Sequence, residues 1–119
     1  MTTLQLPYPP TANNLFGNGK KGRYRTKGYD AWIAEALECV RRQNPASTDG
    51  PYLLTIIARR PDKRRRDIAN LEKPLSDLLV KAGVVRDDCD AAAIHLAWSP
   101  LPPGPATVSI TITPQGAEA

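Results

Sequence analysis

The sequence predicts a small single-domain α+β fold (α/β in the broad sense), with a mixed, mostly antiparallel sheet of about four strands and two main helices packed on it. Three patterns carry this expectation. Val108, Ile110 and Ile112 alternate with Thr107, Ser109, Thr111 and Thr113, which gives a strand with one buried and one polar face. Trp32, Ile33, Ala36, Leu37 and Val40 recur at helical spacing, and so do Ile68, Leu71, Leu75, Leu78, Leu79 and Ala82. Between the two periodic stretches, YLLTIIARR is a run rich in β-branched residues and of strand length.

Taken in order, Leu4–Tyr8 forms a short first strand ended by Pro9-Pro10, and residues 11–28, rich in Asn, Gly and Lys, form a long basic loop. The first helix runs from Tyr29 to about Gln43, capped by Thr26 or Gly28 and stopped by Asn44-Pro45. Residues 44–51 turn into a buried strand, Tyr52–Arg60, that becomes basic at its exit. The second helix either begins near Asn70, with Asp67–Asn70 as its capping turn, or kinks at Pro74, and Gly83 stops it. Ala91–Trp98 and Ala106–Thr113 are the last strands, joined by a connection too rich in proline for regular structure. Residues 1–119 form one domain, and 114–119 are expected to fray as a tail.

With 41% hydrophobic residues, the composition is that of a soluble globular protein, and no apolar run approaches the ~20 residues of a membrane span, so a cytoplasmic location with no membrane partner is expected. Cys39 and Cys89 lack metal-ligand spacing and are expected as free thiols, and a structural zinc site is disfavoured. The net charge of +4 conceals a division. Residues 1–66 carry 13 basic and 5 acidic side chains, whereas residues 67–119 carry 3 basic and 7 acidic. Eleven of the sixteen cations fall within Lys20–Lys27 and Arg59–Arg66, a clustering that suits a polyanion. A solvated loop accounts for either run alone; the acids that follow the second run turn the balance toward nucleic acid.

The segment RRRDIANLEKPLSDLLVKAGVVRDD holds those acids. Asp67 directly follows the arginines; Asn70, Lys73 and Asp77 share the polar side of the helix; Asp87-Asp88 follow the Gly turn. Phosphodiester hydrolysis requires an activated water and charge stabilisation at the leaving oxygen. Magnesium, with manganese as a substitute, supplies both and prefers carboxylate oxygens. Asp67 and Asp88 both lie at element boundaries, where a carboxylate can project. Adjacent residues face different ways, so one of Asp87 and Asp88 is expected to be the ligand. A lysine on the same helix can neutralise the phosphate. Each acid also has a structural use: Asp67 as a helix cap, Asp77 as a partner for Lys73 or Lys81, Asp87-Asp88 as an acidic turn. His95 is expected as an ordinary strand histidine, and Trp32 and Trp98 as core.

These residues resemble the RusA family, the Holliday-junction resolvases of bacteria and their phages. LPYPPTANNLF is similar to the family's Pro-Pro-x-x-Asn segment, and RYRTKGYDAW to its entry into the first helix. The Asp67–Asp88 stretch resembles the pattern Asp-x-Asp-Asn-x-x-Lys, a further Asp four residues on, then Ala-Gly-Val and Asp-Asp. The resemblance implies Asp67, Lys73 and Asp88 as catalytic residues, with Asp67, Asp88 and Asp87 as the metal set. It also implies a homodimer that nicks four-way DNA junctions in pairs with magnesium. The DNA-gripping residues expected are Lys20, Lys21, Arg23, Arg25, Lys27, Arg64, Arg65, Arg66 and Asn70. One departure stands out: Ala69 occupies the place of the family's second aspartate. Either a nearby acid (Asp87, Asp90 or Glu72) supplies the missing oxygen, or the protein binds junctions without cutting them, or Ala69 is an introduced inactivating change.

Overall fold

A computed structural model of the chain describes residues 1–10 and 15–115. The elements are strands β1 (Thr2–Pro7), β2 (Phe16–Gly19) and β3 (Gly22–Arg25), helix α1 (Lys27–Gln43), strand β4 (Tyr52–Ala58), helix α2 (Glu72–Lys81) and strands β5 (Ala91–Trp98) and β6 (Thr107–Pro114). Short 3-10 turns at Ile68–Leu71 and Asp88–Asp90 precede α2 and β5. The expected mixed, mostly antiparallel four-stranded sheet is present, in the order β1-β6-β4-β5. β6 pairs antiparallel with both β1 and β4, while β4 and β5 run parallel. The parallel pair needs a crossover, which α2 provides.

Both helices cover one face. Leu4 and Leu6 of β1, Leu54 and Ile56 of β4, and Val108, Ile110 and Ile112 of β6 meet Trp32, Ala36, Val40, Leu71, Leu75, Leu78 and Leu79 in a single buried core. The alternation read in β6 holds: its valine and two isoleucines are buried. Trp32 belongs to this core as expected, and its indole N–H donates to the Pro7 carbonyl at 3.0 Å, tying α1 to the end of β1. Trp98 is only partly buried, with the Arg60 guanidinium 4.5 Å above its ring. His95 lies exposed on β5, an edge strand.

Three boundaries differ from expectation. The described part of the basic loop contains a two-stranded hairpin, β2–β3, whose Gly-Lys-Lys-Gly turn hides the strands from a pattern search. Helix α1 starts at Lys27, two residues earlier, because the Thr26 hydroxyl accepts from the Tyr29 N–H and fixes the first turn there. Helix α2 starts at Glu72, so Pro74 falls in its first turn, where a missing N–H breaks no helical bond, and no kink is required. Residues 11–14, part of the Pro-Pro-x-x-Asn segment, and most of the expected frayed tail lie outside the described residues.

Candidate nuclease site

The site begins where β4 ends. The segment after it does not simply display six cations. Arg59 donates to the Pro102 carbonyl at 3.1 Å, and Arg60 stacks on Trp98. Asp62 gathers the rest of the loop: it accepts from the Arg64 backbone N–H at 2.9 Å and from the Arg66 guanidinium at 2.8 Å. The hydrogen bond from Arg66, then that from the Arg64 backbone, hold the Asp62 carboxyl below its usual range. Lys63, Arg64 and Arg65 are left pointing outward, whereas the Arg66 side chain is only 21% exposed. Of the three arginines expected to grip DNA, Arg64 and Arg65 are exposed, Arg64 with its Nε 3.8 Å from the Asp62 carboxylate, and the third organises the loop.

Asp67 caps the first 3-10 turn: its carboxylate accepts from the Ala69 N–H at 3.0 Å, leaving a second oxygen uncommitted to that bond. The turn closes when the Glu72 N–H donates to the Ala69 carbonyl. Helix α2 then places Lys73 one turn before Asp77, Nζ 3.4 Å from the carboxylate. Asn70 is half-buried. At the far end of α2, Gly83 takes a positive φ of 76° that glycine adopts without strain, and Val84 and Val85 turn inward.

The chain emerges at Asp87, whose carboxylate accepts from the Cys89 N–H at 3.0 Å and so caps the Asp88–Asp90 turn. That bond is the main reason its carboxyl lies below the ordinary range. Asp88 goes the other way: a hydrogen bond shared with Asp87 raises its carboxyl first, followed by desolvation and the charges of Asp87, Asp77 and Glu72. Four acids therefore crowd one region. The Asp88–Asp90 turn packs on α2, and the Ile68–Leu71 turn packs on β5, which draws the two ends of the motif toward each other. Among the described residues, no three His, Cys, Asp or Glu side chains form a group close enough to hold a metal by themselves. Magnesium keeps several waters and takes only one or two carboxylates, with substrate phosphate completing its shell.

Beside these acids lies a groove of about 570 Å³, lined by Arg23, Tyr24, Arg25 and Phe16 from the hairpin and by Asp77, Lys81 and Asp88. It brings part of the first basic run against part of the acidic motif; Asp67 and Lys73 are not among its lining residues. Arg23 stacks on Phe16 at 3.9 Å, and Arg25 pairs with Asp30 at 2.9 Å. Lys20, Lys21 and Lys27 are exposed. Tyr24, missed in the sequence, is 54% exposed and lies across Gly17 and Gly19 of the facing strand. The Asn-Gly-Lys-Lys-Gly hairpin turn was its only signal. Cys39 and Cys89 are both free thiols, as expected. Among the described residues, no helix is long and apolar enough to cross a membrane.

Residues 7–113 match the family model described as Endodeoxyribonuclease RusA. The chain is 28% identical over 119 residues to the crossover junction endodeoxyribonuclease RusA of Escherichia coli strain K12, covering 98% of this chain and 97% of the relative. It is 27% identical over 116 residues to the corresponding protein of Enterobacteria phage 82, covering 97% and 96% of the two chains. The protein of the same name from Enterobacteria phage HK97 is 31% identical over 84 residues, 70% of each chain. The match to the family model runs from the end of β1 to the penultimate residue of β6 and takes in both ends of the acidic motif, and on that ground the chain belongs to the RusA family of endodeoxyribonucleases.

Proposed function

We propose that the protein is a magnesium-dependent endonuclease that resolves four-way DNA junctions, with manganese able to replace magnesium. The observation that carries this is the juxtaposition, along one groove, of hairpin arginines with Asp77 and Asp88. A polyanion-binding surface beside crowded carboxylates is the pairing that phosphodiester hydrolysis requires. Asp67 and Asp88 hold the cation, with Asp87 keeping Asp88 oriented or ligating in its place. When bound, the cation supplies an activated water and neutralises charge at the leaving oxygen. Lys73 leaves Asp77 to contact the scissile phosphate. Lys20, Lys21, Lys27, Arg64 and Arg65 grip the backbones, and Tyr24 offers an exposed ring on which an unpaired base can stack. Two subunits, related by a two-fold axis, cut two strands of the junction symmetrically.

A second reading has its own observation. Ala69 stands where the resemblance implies an aspartate, which favours a protein that binds junctions without cutting them. Cleavage of a synthetic mobile four-way junction in magnesium, by this chain and by Ala69→Asp, separates the two. Cutting by both supports the enzyme; cutting by Ala69→Asp alone means an intact but disarmed site; binding by both with no cutting supports the binding module.

A further inference from the structure

We infer that two copies of the chain join edge to edge along β5, antiparallel about a two-fold axis perpendicular to the sheet. This pairing rests on the nuclease reading and deepens it by naming the surface that brings two sites to one junction. The sheet has two edges, β1 and β5, and they are built differently. At the β1 edge, Gln43 of α1 takes the place of a further strand. The Gln5 N–H donates to its Oε1 at 2.8 Å, and its Nε2 donates to the Gln5 carbonyl at 2.7 Å. Two residues on, Pro7 has no N–H to leave open, and its carbonyl accepts from the Trp32 indole at 3.0 Å. Cover of this kind guards an edge against association. Among the described residues, the outer edge of β5 has no equivalent: no strand lies beyond it, and no side chain takes the part of Gln43.

The character of β5 names the occupant. Ala92, Ala93, Ile94 and His95 are exposed in succession, so both faces of the strand reach solvent there. Ile94 stands beside the buried Leu54 in the parallel register, on the side of the sheet that the helices cover, yet it is 42% exposed. The helix layer therefore stops short of this edge and leaves an apolar side chain for a further strand to meet. The one irregularity in the pairing falls at Ala92, and Ala93–Trp98 runs in unbroken register. A two-fold axis perpendicular to the sheet sets one residue of the strand against its own copy, so a charge near the axis would meet a like charge. Charged residues make up 24% of the chain, but β5 holds no Lys, Arg, Asp or Glu, and no proline. Such a strand suits a second copy of itself, whereas a polyanion finds no cation on it. The same axis keeps both helix layers on one side of a joined eight-stranded sheet. The Asp88–Asp90 turn, directly before β5, then comes in from each copy at opposite ends of the paired strands. With the axis near Ile94, the two turns stand on the order of 20 Å apart along the strands, so one junction can reach both.

The test is sedimentation velocity of the full protein without DNA across the micromolar range, for the wild type, Ile94→Lys, Ile94→Glu and an equal mixture of those two. The expected result is a dimer for the wild type, a dimer weakened about tenfold or more in each variant, and recovery in the mixture, where opposite charges face each other across the axis. Recovery also shows that both variants are folded. In a background of Cys39→Ser and Cys89→Ser, one of Ala93→Cys, Ile94→Cys and His95→Cys should form an intermolecular disulfide. Facing Cα atoms about 4.5–5.5 Å apart lie within bridging reach. Thr3→Cys, on the β1 edge, should form none. A monomeric wild type, variants that dimerise like the wild type, a mixture that does not recover, or a scan with no bridge among the three each overturns the β5 pairing. A protein that passes these tests and cuts no junction overturns the nuclease reading alone; one that fails them and cuts junctions does the reverse.

Discussion

The Lys73 ammonium stands 3.4 Å from the Asp77 carboxylate one turn along α2, with both side chains roughly half exposed. An exposed i,i+4 pair of this kind contributes about 0.3–0.5 kcal/mol, too little to account for its place in the motif. Lys73→Met is therefore expected to shift Tm by no more than about 3 °C. It should lower junction cleavage by about 100-fold or more, with junction affinity kept within a few-fold. Thermal melts and single-turnover cleavage on the same preparation check this. A collapse in Tm with normal cleavage at saturation would mean that Lys73 is structural.

Asp88→Asn should stabilise the protein in a chelator while abolishing cleavage in magnesium. The sign follows from the raised carboxyl. A group that holds its proton more tightly in the folded chain makes folding more favourable at low pH, and stability then falls as pH rises through the carboxylate range. At pH 7 the asparagine variant escapes that loss and melts higher; below about pH 4 the two proteins converge. Added magnesium should reverse the neutral-pH order by stabilising only the wild type. Equal melting at every pH, with and without magnesium, would refute the assignment.

Arg64 and Arg65 should behave unlike Arg66. Replacing Arg64 and Arg65 together with alanine is expected to reduce the slope of log affinity against log salt by about 2, since two phosphate contacts and their released counterions are lost. Arg66→Ala instead frees Asp62, which holds the Arg64 backbone, and should lower Tm by an amount equivalent to about 1 kcal/mol or less. An identical fall in the slope for all three arginines would contradict the separation seen in the loop.

Gly17→Ala tests the hairpin without touching a charge. A Cβ there would fall 2.5 Å from the Tyr24 ring and hydroxyl, so the ring has to move. Both Gly17→Ala and Tyr24→Ala should weaken junction binding by about tenfold, the scale of one lost base stack. A neutral Tyr24→Ala would remove the aromatic platform from the proposal.

Much of this was legible in the chain because strong periodicities coincide with burial. The β6 alternation and the α1 and α2 stripes specify which faces meet, whereas the parallel β4–β5 pair is left unassigned within a mixed sheet. The β2–β3 hairpin was not legible: all four residues of β3 are exposed, so no burial pattern marks it, and its partner β2 carries two glycines. The sorting of the second basic run was also hidden. Asp62 has the look of an interruption in a string of cations, and only in three dimensions does it hold Arg66 close and largely covered while Arg64 stays exposed.

The strand order has a consequence during synthesis. β6 lies between β1 and β4, so β1 has no neighbour in the sheet until residues 107–114 have been made. Pairings that span almost the whole chain form late. A nascent chain on the ribosome can carry the complete acidic motif, Asp67 through Asp88, well before the sheet beneath it can close. In the proposed nuclease, competence is thereby deferred until translation has passed the last strand, and a product truncated before it is left without the sheet that positions both ends of the motif.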